Sequence, residues 1–352
     1  MVSERISLSC YNNQNEIICL SQRRSIIFLE LIKMSGQNSV IGYQSILDYL
    51  YSKYYQNFSG YSSVTSSHWR QDGWQQVNRQ DGEYFEHGIG FGSYEKRNVL
   101  NRLKVLPRTL LLTHLFQKYS CPDHLIQSGL DLVRRNQWVL SFDSVKQILS
   151  LGLISKVLNS SVSDVEEIRL KSIDCACIIG DGYGFFSGLV KHFKPDIQTI
   201  CVNLGRTLLF DVLSMGKTFP DETPILLLNG NDSASEYNLI FIEAENCELL
   251  KTLRINLFVN IASMQEMNPP VIEKYFDYMR ASSAKLRYFY CCNRLSKHLP
   301  DGTLVEFMQY PWKKEDIVLI DEICPWYQKY PISTPPFWQA FDGVIQHRLI
   351  KF

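Results

Sequence analysis

Apolar positions along the chain fall into two textures. Between residues 98 and 158 they recur at three- and four-residue intervals, which predicts helices over 98–118, 122–135 and 141–157. Pro122 suits the first turn of the second helix, and Ser141 or Asp143 suits the cap of the third. Upstream, Ile46, Leu47, Leu50 and Tyr51 share a helical spacing within 41–55. Residues 58–95 break the pattern. They are rich in Ser, Gly, Gln, Tyr and Trp, and read as a long loop of the kind that carries function in compact chains.

After residue 165 short apolar runs alternate with amphipathic segments. Strands are predicted at 175–179, 199–204, 238–243, 256–262 and 286–292, and helices at 185–193, 206–216 and 269–283. The last helix sets Ile272, Phe276 and Met279 on one face. The run 224–228 is apolar but short, and 304–310 and 317–323 are expected to close the sheet. Strand–helix alternation with near-continuous apolar strands implies an α/β fold: a Rossmann-like, mostly parallel sheet of about seven strands, covered on both faces. Two regions are expected, a mainly helical one over 1–160 that contains the aromatic loop and an α/β one over 161–352.

Composition narrows the function classes. Lys+Arg and Asp+Glu are equal at 36 each, which argues against nucleic acid as the main partner. The ten cysteines form no CxxC pair, and several sit in apolar runs, so buried thiols are expected and not a zinc site or a disulfide framework. No apolar run reaches the ~18 residues that span a bilayer, and the first twenty residues lack a signal-peptide core, so a cytoplasmic protein is expected. The aromatics, 19 Tyr, 19 Phe and 6 Trp, supply core packing and also suit a cleft that stacks on flat or sugar rings.

The candidate chemistry sits after the first predicted strand, at Gly180-Asp181-Gly182-Tyr183-Gly184. Glycines let backbone approach a ligand, and the following helix offers free N–H groups. A nicotinamide dinucleotide site wants a small third residue and an acid some 20 residues on. Here those positions hold Phe185 and Asn203. A phosphate-binding P-loop needs Gly-Lys-Ser/Thr, which is absent. The acid/Gly-x-Gly-x-Gly form of S-adenosylmethionine-dependent methyltransferases fits best, although glycine turns also serve as plain tight connections. In class I enzymes of that kind the ends of the next strands complete the cofactor site. Those ends here are Asn203 and Leu204, Glu243 and Ala244, and Asn260 with Ser263. An amide at 203 hydrogen-bonds a ribose hydroxyl without charge assistance, where an acid is usual.

The stretch Phe258-Val259-Asn260-Ile261-Ala262-Ser263-Met264-Gln265-Glu266-Met267, followed by a helix, Tyr288-Phe289-Tyr290 and Asn293-Arg294, resembles the sugar O-methyltransferase family over about residues 165–325. The resemblance implies a class I methyltransferase fold, an S-adenosylmethionine donor and a small-molecule or glycan acceptor methylated on a sugar hydroxyl, often in polysaccharide or glycoconjugate biosynthesis. Methylating a hydroxyl requires a base that removes its proton as the bond forms. Glu266, just past the fourth strand, is one candidate; it could equally hold the following helix. His68 and His87 from the aromatic loop, and His298 after the fifth strand, are others, each also readable as a surface histidine. Trp69, Trp74 and Tyr84 are candidate stacking residues, and Gln265 and Asn293 candidate acceptor contacts; the aromatics could equally pack the loop onto the core. No hard-cation cluster is apparent, so no metal is expected. Two alternatives stay open: a nicotinamide-dependent oxidoreductase, against which Phe185 and Asn203 speak, and a non-catalytic scaffold of the same fold, which Asn203 favours.

Overall fold

A computed structural model describes residues 39–58, 60–70, 75–80, 83–88, 99–160, 173–230, 234–332 and 334–352. The N-terminal part gives strand β1 (Ser39–Ile41), helix α1 (Tyr43–Tyr51) and a π-helical turn Ser52–Gln56. A hairpin follows, β2 (Gln75–Gln80) and β3 (Glu83–Gly88), and then α2 (Val99–Lys118), α3 (Asp123–Arg135) and α4 (Phe142–Ser160). The three long helices match their predicted ranges closely. Ser141 does cap α4, its Oγ accepting from the Ser144 N–H at 3.0 Å. The hairpin corrects the reading of 58–95 as loop throughout. Its polar composition hid it, and its register pairs Gln76 with His87 and Arg79 with Tyr84.

The α/β part contributes β4 (Cys175–Ile179), α5 (Phe185–Phe193), β5 (Gln198–Asn203), α6 (Gly205–Thr218), β6 (Ile225–Leu227), β7 (Leu239–Glu243), β8 (Leu257–Ile261), α7 (Pro269–Ala281) and β9 (Tyr288–Arg294). It ends with the small hairpin β10 (Ser296–His298) and β11 (Leu304–Glu306), then β12 (Ile317–Ile323), the pair β13 (Lys329–Pro331) and β14 (Trp338–Ala340), and β15 (Ile345–Lys351). Nine strands form one sheet in the order β1-β6-β7-β5-β4-β8-β9-β15-β12. Strands β6, β7, β5, β4, β8 and β9 run parallel; β1, and β15 against both its neighbours, are antiparallel. Without β1 and its neighbour β6, this is the seven-stranded, mostly parallel sheet of the class I methyltransferase fold.

Alternation along β4 shows why both faces are covered. Ala176 and Ile178 join a core with Phe185, Leu208 and residues of α3 and α4. Cys175, Cys177 and Ile179 join the other core, with Ile272, Phe276 and Met279 of α7. The helices that precede residue 160 thus share a core with the sheet. The division expected at 160 falls at the edge of 161–172, outside the described residues.

Closure matches expectation in part: 317–323 forms β12 at one edge of the sheet. Residues 304–310 do not close the sheet: among the described residues β11 pairs only with β10. The inserted strand is β15, which carries the polar run Gln346-His347-Arg348, all buried. Its neighbour β12 makes that burial possible. Asp321 accepts from Gln346 Nε2 and from Arg348 Nη2, each at 2.7 Å, and Glu322 faces His347 at 3.3 Å. Paired polar groups are tolerated inside a fold, but they erase the apolar signature of a central strand. The short run 224–228 becomes β6.

Candidate functional site

Parallel strands leave their carboxyl ends on one side, and the strand order reverses at β4, with β5 and β7 to one flank and β8 and β9 to the other. In open α/β sheets a ligand crevice opens at such a reversal. The turn that follows β4 needs glycine at three positions, because Gly180, Gly182 and Gly184 have φ of 75°, 86° and 65°. A Cβ at Gly180 would stand 2.2 Å from Ser263 Oγ, so the turn after β4 and the loop after β8 touch there.

Asp181 does not turn its carboxylate toward the crevice. It accepts from the backbone N–H groups of Phe186 at 3.0 Å and Ser187 at 2.7 Å, and so satisfies the start of α5. Asn203 is also engaged within the protein: its Oδ1 accepts from the Leu204 N–H at 3.0 Å and its Nδ2 donates to Asp211 Oδ2 at 2.9 Å. Burial, and then the charge of Asp181, push the Asp211 carboxyl well above the usual carboxylate range. The amide at 203 is thereby explained, since a carboxylate there would be a third acid in one buried cluster.

At the end of β7, Glu243 is fully buried. It accepts from Lys53 Nζ at 2.9 and 3.1 Å, from Tyr49 Oη at 3.5 Å and from Tyr54 Oη. The same tyrosine covers Gly205, where any Cβ would fall 1.9 Å from its ring. The segment after α1 is therefore strapped across the ends of β5 and β7, and Glu243 anchors the strap instead of facing the crevice.

The loop after β8 is held by a buried amide network. Asn260 donates to the Ile179 carbonyl at 2.8 Å and to Ser263 Oγ, while its Oδ1 accepts from the Met264 N–H at 3.0 Å and from Asn293 Nδ2 at 2.8 Å. Asn293 Oδ1 accepts from the Gln265 N–H at 3.1 Å, and Gln265 Oε1 from the Arg294 N–H at 2.7 Å. Asn260, Gln265 and Asn293 are buried, so these side chains brace the tips of β4, β8 and β9 against one another. The expected acceptor contacts of Gln265 and Asn293 are thus turned inward. Ala262 sits at φ 61°, a left-handed residue at the loop's apex.

What this bracing presents is Glu266. Its side chain is 2% exposed, with Oε1 2.7 Å from Lys297 Nζ and 3.4 Å from His68 Nε2. Its backbone carbonyl accepts from Ser66 Oγ. Burial raises the Glu266 carboxyl, and Lys297 opposes that rise. Burial, with the charges of Lys297 and Arg294, pushes the His68 imidazole down to about 4, so it is neutral at neutral pH. The structure brings together two of the proposed proton acceptors, Glu266 and His68. His298 is exposed on β10, one residue from the inward-facing Lys297 and so on the opposite side of the strand. His87 lies on β3, paired with Gln76.

Two cavities adjoin, each with about 430 Å³ of empty space including the part open to solvent. The first is lined by Gly180, Asn203, Leu204, Ala244, Ser263 and Glu266, with Met267, Val271 and Tyr275. The second lies over Leu204, Gly205, Arg206 and Thr207, against Tyr54, Phe58 and Tyr61. Trp69 and Leu204 line both. Tyr84 is elsewhere. It donates to Asp48 Oδ1 and its ring meets Tyr51 at 5.4 Å, pinning the hairpin to α1. Trp74 lies outside the described residues. Lys297, Tyr54 and Arg206 carried no sequence signal, because nothing in their spacing announces a partner some 30 to 190 residues away. Among the described residues, no group of three or more His, Cys, Asp or Glu could hold a metal ion. No helix among them is long and apolar enough to cross a membrane.

No protein-family model matches the chain, and no curated protein matches it. Solved structures do. The chain is similar to an O-methyltransferase family protein from Burkholderia thailandensis, with 8% identity over 77% of this chain and 79% of that one, at a TM-score of 0.34. It is similar to the SAH-bound Podospora anserina methyltransferase, with 14% identity over 73% of this chain and 99% of that one, at 0.33. It is also similar to human N-acetylserotonin methyltransferase in complex with SAM, with 9% identity over 79% of each chain, at 0.32. The fold assignment itself stands on the strand order.

Proposed function

We propose that the chain is an S-adenosylmethionine-dependent O-methyltransferase of the cytoplasm whose acceptor is a sugar hydroxyl in polysaccharide or glycoconjugate biosynthesis. One observation carries this reading: a turn with three glycines at positive φ ends the strand where the sheet order reverses, and a cavity opens directly over it. Gly180 lines that cavity, and its lack of a side chain lets the turn after β4 close against Ser263 to form one wall.

In this reading Gly180, Gly182 and Gly184 offer backbone to the cofactor, and Asn203, Leu204, Ala244 and Ser263 line its place. Asp181, Glu243 and Asn260 support it from behind, since their polar atoms are bound within the protein. When bound, S-adenosylmethionine supplies an activated methyl group on a sulfonium. The chain's own task is to position the acceptor oxygen and take its proton. Glu266 faces the cavity and is the proton acceptor; His68 is a neutral second base beside it, and Lys297 keeps the carboxylate in place. Region 1–160 acts as cap, and Trp69, at the junction of the two cavities, is the stacking surface for the acceptor. The sugar acceptor is supported by the resemblance of 258–267 and of Asn293-Arg294.

The test is calorimetric titration with S-adenosylhomocysteine and, separately, with reduced nicotinamide dinucleotide, followed by assay of S-adenosylhomocysteine release with a pool of sugar acceptors. Binding of the first ligand and acceptor-dependent release are expected. Binding of the dinucleotide alone would sink the reading.

A further inference from the structure

The second cavity contains a cation that is held but not neutralised. Arg206 is the second residue of α6, just past the end of β5. Its guanidinium carbon lies 4.2 Å from the centre of the Phe58 ring, 5.5 Å from that of Tyr55 and 5.8 Å from that of Tyr61. Phe58 and Tyr61 brace each other edge to face at 4.9 Å. The Arg206 Nε donates to the Tyr54 carbonyl at 3.3 Å. Among the described residues its terminal nitrogens have no acceptor and no ion pair, and the side chain lines the cavity. Glu245, which also lines the cavity, is drawn to Lys53 at 3.6 Å, and the buried Glu243 pairs with the same lysine at 2.9 Å. Aromatic rings fix the guanidinium plane and cost it hydration, which leaves a rigid two-pronged donor beside flat apolar surface.

We infer that this cavity binds a ring carrying an anionic group, with the carboxylate or phosphate on Arg206 and the ring against Phe58, Tyr61 and Trp69. A planar fork recognises such oxyanions in bidentate fashion, and an edge of aromatic rings recognises the ring. Resting on the methyltransferase reading, the inference goes one step further: the two cavities meet at Trp69 and Leu204, so the bound ring is the acceptor, and the acceptor is an acidic or phosphorylated sugar and not a neutral one.

Calorimetry of the full chain with glucuronate, glucose 6-phosphate and glucose tests this, with S-adenosylhomocysteine titrated in parallel. At least one of the two anionic sugars binds tenfold or more tightly than glucose, and which one it is separates a carboxylate from a phosphate site. In Arg206→Gln that preference disappears while S-adenosylhomocysteine affinity stays within about threefold; Arg206→Lys, which keeps the charge without the fork, recovers part of it. Equal binding of charged and neutral sugars, or a preference that survives in Arg206→Gln, overturns the inference. If the anionic sugars bind as described but S-adenosylhomocysteine does not, the anion site stands and the methyltransferase reading fails. Should Arg206→Gln not fold, Phe58→Ala replaces it, with a loss of affinity expected for both anionic and neutral rings.

Discussion

Asn203 stands where an acid usually reads ribose, and its amide donates to Asp211 at 2.9 Å. The Asn203→Asp substitution places a second carboxylate against an already raised one. In the folded state the new carboxyl titrates above its unfolded value, so the penalty is present at high pH and relieved as pH falls. At pH 7.5 a cost of about 2 kcal/mol is expected, shrinking towards pH 5 and largely reversed by adding Asp211→Asn. Denaturant melts at the two pH values measure it; unchanged stability at pH 7.5 would contradict the buried cluster. At the other end of the site His68 is depressed to about 4 from 6.5. A histidine depressed in this way contributes stability above its unfolded pKa and loses it as pH falls through the window from 6.5 to about 4. The full difference is on the order of 3 kcal/mol, so Tm of the parent chain should fall faster between pH 7 and 5 than that of His68→Asn. Glu266, raised by burial, works in the opposite sense in both proteins. Glu266→Gln is expected to lower turnover at least a hundredfold with S-adenosylhomocysteine affinity kept, the effect expected of a lost proton acceptor. A variant with undiminished turnover would transfer the role to His68.

Elements divide by how much of their stabilisation is local. Helix α4 announced itself because its cap, Ser141, lies in the sequence next to the turn it satisfies. Strands β4, β5, β7 and β8 did so because burial on both faces demands apolar residues throughout. The polar strand β15 was invisible, as its burial depends on Asp321 and Glu322, which lie 25 to 27 residues upstream. The glycine turn belongs with the legible elements. Its three positive φ angles require residues that sequence alone can show. The roles of Asp181, Gln265 and Asn293 were not legible: an amide or acid near a strand end reads the same whether it faces a ligand or a neighbouring backbone N–H. For the turn, Gly182→Val should leave the circular dichroism of the fold in place and abolish S-adenosylhomocysteine binding, since φ of 86° disfavours a β-branched residue and the turn that brings Gly180 to the cavity wall would have to change course.

At the scale of the whole molecule, the strap after α1 makes the N-terminal part inseparable from the sheet. Lys53 and Tyr54 meet Glu243, Tyr54 fills the space above Gly205, and Ser66 and His68 reach Glu266. None of these contacts could be read from spacing, because each joins residues more than 150 positions apart. Tyr54→Ala would open a void and leave the Glu243 carboxylate short of a donor, at a cost of about 3–5 kcal/mol in chemical denaturation. The same strap defines both cavities, so the site exists only when both halves of the chain are present. The central claim is that the crevice over Gly180 is a cofactor cradle. It is tested most directly by titrating S-adenosylhomocysteine into the parent chain and into Gly182→Val. Saturable one-to-one binding to the parent, lost in the folded variant, is the expected result; equal binding to both, or none to the parent, would contradict it.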